Sequence, residues 1–145
     1  MSQALATLLV SLFIGTAAAQ PGGNQSCVGN QGFLAEGIVD HLDSWKKVHH
    51  AFKDFSKCDD GGVAEGLSEA VVHLLAHDWQ HVSELQRLIH VDQNFEGFVL
   101  KHIDATTDDS DLRTIERLSA SKCPMHGEAL CAKVNAASKK AISEL

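Results

Sequence analysis

Apolar residues return at intervals of three and four along almost the whole chain from Leu34 onward. Leu34, Ile38, Leu42, Trp45, Val48, Phe52 and Phe55 form the first such series. This spacing stacks side chains along one face of a helix. It predicts a first helix over Phe33 to Ser56, ended by Cys58-Asp59-Asp60-Gly61-Gly62 with the glycines favoured at a C-terminal cap. Ala64, Leu67, Val71, Leu74 and Leu75 predict a second helix. Asp78 then stands where an N-cap would open a third, carrying Trp79, Val82, Leu85, Leu88 and Ile89. Pattern alone fits two separate helices here or one kinked helix. Asp92 is placed in the same way before a fourth, with Phe95, Phe98, Val99, His102 and Ile103. The polar run Thr106 to Ser110 caps a fifth bearing Leu112, Ile115 and Leu118, which Cys123-Pro124 stops. Leu130, Cys131, Val134, Ala137 and Ile142 mark a sixth.

Strand signals are nearly missing. No alternating run occurs, and no Asn-Gly or Asp-Gly pair is flanked by β-branched residues. The expected fold is therefore all-α: a compact irregular (orthogonal) bundle of five to six helices, disulfide-stapled. A stack of helical hairpins is the second choice, and no repeat is regular enough for a solenoid.

The first nineteen residues break the amphipathic pattern. Met1 to Ala19 carry no charged side chain, and Ala6 to Ile14 are almost wholly apolar. Gly15 and then Ala17-Ala18-Ala19 follow. An apolar core and then an A-x-A site is what a signal peptidase reads, and the run is too short to span a bilayer as an anchor. The expected organisation is a signal peptide at 1–19, an irregular Gly/Asn/Gln-rich arm at 20–32, and one all-helical domain at 33–145. The location that follows is export, to a periplasm or the extracellular space, with no membrane span after cleavage.

Charge narrows the partners. The chain has 145 residues and a net charge of −7, and every charged side chain lies beyond Ala19. Nucleic acid is excluded as a partner, since phosphate binding calls for a basic face. A basic protein suits such a surface better. The acidic turns at Asp59, Asp60, Asp108, Asp109 and Asp111 are the candidate partner-binding residues.

Four cysteines in an exported chain suggest two disulfides. Cys123 and Cys131 flank Pro124 and Gly127, so a local bridge across a helix–turn–helix corner is the simplest pairing. Cys27 with Cys58 follows by exclusion. A helix over residues 33–56 would be about 36 Å long. Cys27 reaches Cys58 past it only if nine or ten residues of arm, at about 3.3 Å each, run back along the helix. That would move the helix start towards Gly37.

Nine histidines are the compositional oddity. His73, His77 and His81 fall at i, i+4 and i+8, the spacing at which imidazoles share Zn²⁺, Cu²⁺ or Ni²⁺. On a helical wheel they lie off the apolar stripe of Leu67, Val71, Leu74 and Leu75, so a solvent face explains them as well. His41, Trp45 and His49 repeat the spacing on the first helix, at the border of the core. No Cys-x-x-Cys-His offers covalent haem. Asp104 to Asp111 has the oxygen ligands for Ca²⁺, but Asp and Ser also suit a helix N-terminus. Counting an EF-hand around Gly61 puts Ser56 at the first ligand and Leu67 at the twelfth, which fails. Gly66-Leu67-Ser68-Glu69-Ala70 lacks the second glycine and the strand of a nucleophile elbow, and no Walker loop or His-Glu-x-x-His occurs. Asn24-Gln25-Ser26 matches a glycosylation acceptor.

The sequence thus leads to an exported, non-enzymatic protein-binding domain with an acidic helical surface, of an inhibitor, immunity or envelope-accessory type, needing no cofactor. The alternative is a metal or small-ligand binder, taking Zn or Cu on the His73, His77 and His81 stripe. Oligomeric state has no signature here.

Overall fold

The computed structural model describes Cys27 and residues 30–145; the expected signal peptide at 1–19 and most of the expected arm lie outside the described residues. Among the described residues there are seven α-helices and no strand. They are α1 (Asn30–Val39), α2 (Trp45–Phe55), α3 (Gly61–His77), α4 (Val82–Val91), α5 (Asn94–Lys101), α6 (Asp109–Ser121) and α7 (Glu128–Ser143). Single 3₁₀ turns at Ser56–Cys58 and Trp79–His81 join α2 to α3 and α3 to α4. None of the described helices is long and apolar enough to cross a membrane.

α3 runs through the middle. Val63, Leu67, Ser68, Val71, Val72, Leu74, Leu75 and Ala76 are all buried along it, a wider apolar arc than a surface helix carries. α1, α2 and α6 pack on it, and α6 and α7 form an extensive hairpin. Trp45, Phe95, Leu85, Leu112, Ile115, Val48, Val99 and Val134 fill the space between, each less than 2 % exposed. α1 crosses α3 closely at Gly66, where a Cβ would come within 2.7 Å of Val39. Only glycine allows the two helices to meet there.

The expected first helix is two helices, which takes the count from the expected five to six to seven among the described residues. Asp40 to Ser44 form a turn, with the amide of His41 bonded to the carbonyl of Ile38 at 2.9 Å and Ser44 extended at φ −156 as the N-cap of α2. Leu42 stays buried inside the turn, so the apolar periodicity passes through the break unchanged. The reversal also resolves the disulfide geometry. Helices of ten and eleven residues rise by about 15 and 16 Å, so the chain returns to where it began. Cys27 and Cys58 are bonded with Cα atoms 4.6 Å apart, and no arm has to run back along a long helix. α1 starts at Asn30, ahead of the expected start near Gly37. Cys123 and Cys131 form the second disulfide, with Cα atoms 6.0 Å apart.

Two expected N-caps are helix ends. Asp78 closes α3, and its carboxylate takes hydrogen bonds from His81 Nδ1 at 2.7 Å and Gln80 Nε2 at 3.0 Å instead of from helix amides. Asp92 closes α4 and turns its carboxylate to His49 Nε2 at 3.3 Å and Lys53 Nζ at 3.7 Å. Asp108 is an N-cap as expected, accepting the amide of Ser110.

Candidate functional site

Polar chemistry is concentrated at two places on α3, one inside the bundle and one on its surface. Inside, Ser68 meets the end of α5. His102 is 1 % exposed and Ser68 2 %, so each must find its partners within the protein. Ser68 Oγ donates to Asp104 Oδ2 at 2.7 Å, and His102 Nδ1 lies 3.0 Å from the same hydroxyl. With the hydroxyl proton given to Asp104, Nδ1 is the donor to Ser68. His102 Nε2 lies 3.2 Å from Asp59 Oδ2, and Lys101 Nζ reaches that oxygen at 2.6 Å. A neutral ring has one proton for two such contacts, so only the imidazolium satisfies both. Burial opposes that charge and holds His102 below the ordinary histidine range, against the pull of Asp59. Lys101 is therefore the cation that balances Asp59. The second Asp59 oxygen, Oδ1, is buried and has no hydrogen-bond partner among the described residues.

Serine, histidine and aspartate in contact are the parts of a nucleophilic triad, but the geometry is that of a structural joint. The hydroxyl proton goes to a carboxylate instead of to the imidazole, and Ser68 is closed off from solvent. Its mechanical effect falls on the following loop. Burial raises the pKa of Asp104, yet hydrogen bonds from Thr106 and Ser68 outweigh it and hold the carboxyl below its usual range. Asp104 takes the Thr106 amide at 2.8 Å, and its carbonyl takes Thr107 Oγ1 at 2.8 Å. The network thus fastens the loop before α6 to α3.

That loop is one wall of the surface feature. A cavity of about 550 Å³ is lined by Glu65, Glu69, Val72, His73, Thr106, Thr107, Asp108 and Asp111. A second, of about 330 Å³, lies on the other side of α3 against Asp40, Leu42, Asp43, Gly66 and Ala70. Glu69 and His73 line both, so these two side chains stand between the cavities, and the pair makes an acidic cleft on either side of the exposed edge of α3. Its charge is largely uncompensated: among the described residues no ion pair holds Asp40, Glu65 or Glu69. His77 borders it, with Nε2 2.9 Å from Asp111 Oδ1.

The expected partner-binding residues divide. Asp108 and Asp111 line the cleft. Asp109 is exposed and pairs with Arg113 at 2.9 Å, and Asp60 accepts the amide of Gly61 at the start of α3. Asp59 is not a surface residue: its side chain is 8 % exposed and belongs to the His102 joint. Asp40, Glu65 and Glu69 were not singled out as partner-binding, because acidic residues at helical spacing look the same on any solvated face.

The histidine stripe is broken. His73 and His77 are neighbours, with ring centres 4.8 Å apart. α3 ends at His77, however, and His81 sits on the following 3₁₀ turn bonded to Asp78. The i+8 alignment required the helix to continue through Asp78. Among the described residues no group of three histidine, cysteine, aspartate or glutamate side chains is placed to hold a metal ion, and the single-helix alignment expected of His73, His77 and His81 is not formed. No known protein family, curated protein or solved structure matches this chain.

Proposed function

We propose that this is an exported, non-enzymatic binding domain whose acidic cleft across α3 receives a basic segment of another protein. The observation that carries the reading is the set of carboxylates at Asp40, Glu65 and Glu69, unpaired among the described residues and joined by Asp108, in the two cavities that flank α3. Unpaired charge of one sign raises the local concentration of the opposite sign and speeds encounter. The joint beneath the cleft keeps its Thr106–Asp108 wall in place, so little order has to be gained on binding. Two disulfides suit an oxidising compartment, and the periplasm or extracellular space is the proposed location. A basic envelope enzyme held in check, as by an inhibitor or immunity protein, is the proposed kind of partner.

Native mass spectrometry of the protein drawn from its own envelope fraction tests this. A basic protein retained by the wild type, lost from Glu65→Gln/Glu69→Gln and kept by Asp109→Asn is the expected result. Equal retention by both variants removes the cleft from the account.

A further inference from the structure

The corner between α6 and α7 is built more tightly than a connection needs. The Cys123–Cys131 disulfide closes it, and the amide of Gly127 bonds the carbonyl of Pro124 at 3.0 Å. A Cβ on Gly127 would lie 2.8 Å from the Pro124 ring. Gln86 on α4 donates to the carbonyl of His126 at 2.6 Å. His126 itself has φ 62, and among the described residues no other non-glycine residue has a positive φ. A left-handed histidine is strained, and it persists where its surroundings fix it; such residues cluster at functional surfaces.

This clamped turn displays an apolar side chain to solvent. Met125 is 80 % exposed, and Val91 at the end of α4 is 82 % exposed. Both line one groove of about 1030 Å³ between α4 and the start of α7, with Ile89 and Leu130 also in its lining. The charge of the groove is opposite to that of the cleft. Arg87 lines it and, among the described residues, bonds the carbonyl of Ser83 at 3.4 Å and no carboxylate. Glu96, the one carboxylate in the lining, is neutralised by Lys133 at 2.6 Å. In a chain of net charge −7 this leaves one free guanidinium beside exposed apolar side chains. Methionine and arginine are favoured at protein interfaces, methionine because it adapts to the surface it meets. An anionic membrane surface calls for a cluster of basic residues, and here there is one.

We propose that this stapled corner is a second docking surface, which takes an acidic segment of a partner protein with an apolar anchor. The anchor seats between Val91 and Met125, and the neighbouring carboxylate pairs with Arg87 through its forked donors. The surface is independent of the α3 cleft and goes beyond the function proposed for it: one face reads basic chemistry, the other acidic.

The test is an amide-resolved NMR titration of the disulfide-intact protein with two twelve-residue probes. One carries two leucines flanked by glutamates, and the other carries the same leucines flanked by lysines. The acidic probe is expected to saturate, with shifts confined to residues 83–96 and 123–131, and to bind at least tenfold more tightly than the basic probe at those residues. Arg87→Glu reverses that preference, and Met125→Ser weakens the acidic probe about tenfold; both positions are exposed, so the fold is kept. Glu65→Gln/Glu69→Gln leaves this binding unchanged, which separates the corner from the cleft. Equal binding of both probes, shifts spread over the whole surface, or indifference to Arg87→Glu would overturn the proposal. So would self-association through the same residues, or a response to anionic vesicles but not to the peptide.

Discussion

The His102 joint and the His73–His77 edge of the cleft use the same side chains, histidine against aspartate, in opposite surroundings. His102 is 1 % exposed and touches Ser68, Asp59 and the ring of Phe98. His77 is about half exposed and meets one carboxylate, Asp111. Burial makes the partners of the first hard to replace, because a polar group that loses one has no water to take its place. At the second, water substitutes freely. The interior pair therefore serves the fold, and the surface pair is available to a ligand.

The sharpest way to break that contrast is to remove the buried ring. His102→Leu takes one partner each from Asp59 and Ser68, which keep Lys101 and Asp104, and should cost about 3 kcal/mol in chemical denaturation. Ser68→Ala removes the link between His102 and Asp104 and should cost about 1–2 kcal/mol; it should also raise amide exchange in the loop 104–108. Acidity gives a third test. His102 is held below its ordinary value by burial, so the unfolded chain takes up its proton first. Stability should begin to fall as pH drops below about 6.5, and the fall should end only once the folded ring is also protonated. A second fall belongs to Asp104, whose depressed carboxyl protects stability above the ordinary carboxylate range near 3.9 and loses that effect as pH drops through its folded value. His102→Leu should flatten the first limb and spare the second, as read by thermal melts from pH 7 to 3. His77→Ala should be the smallest effect, within about 0.5 kcal/mol, since exposed ion pairs contribute little. A His77→Ala cost as large as that of His102→Leu would erase the distinction between the two regions.

The helical faces were legible because burial repeats every three or four residues, and the polar loop before α6 because Asp108 caps its own helix. The break at residues 40–44 was hidden, since Leu42 continues the periodicity while the backbone turns. Asp78 and Asp92 looked like N-caps but serve His81, His49 and Lys53, and partner choice of that kind depends on what folding brings near. His102 could be placed on the apolar stripe of its helix. That a histidine there must be paired was inferable; that Ser68 and Asp59, 34 and 43 residues away, provide the pairing was not. The same holds for the cleft, because Glu65 and Asp108 share a cavity only through the packing of α6 on α3. The histidine stripe failed for a simpler reason: the spacing was right, but α3 stops before its third member.

The most direct test of the acidic cleft is an amide-resolved NMR titration of the disulfide-intact protein with a lysine- and arginine-rich peptide of about twelve residues, at low and physiological salt. The account predicts saturable shifts along Glu65 to His77 and Thr106 to Asp111, weakened by salt and lost in Glu65→Gln/Glu69→Gln. Shifts that are non-saturable, spread over every acidic turn, or unchanged in that variant would contradict it.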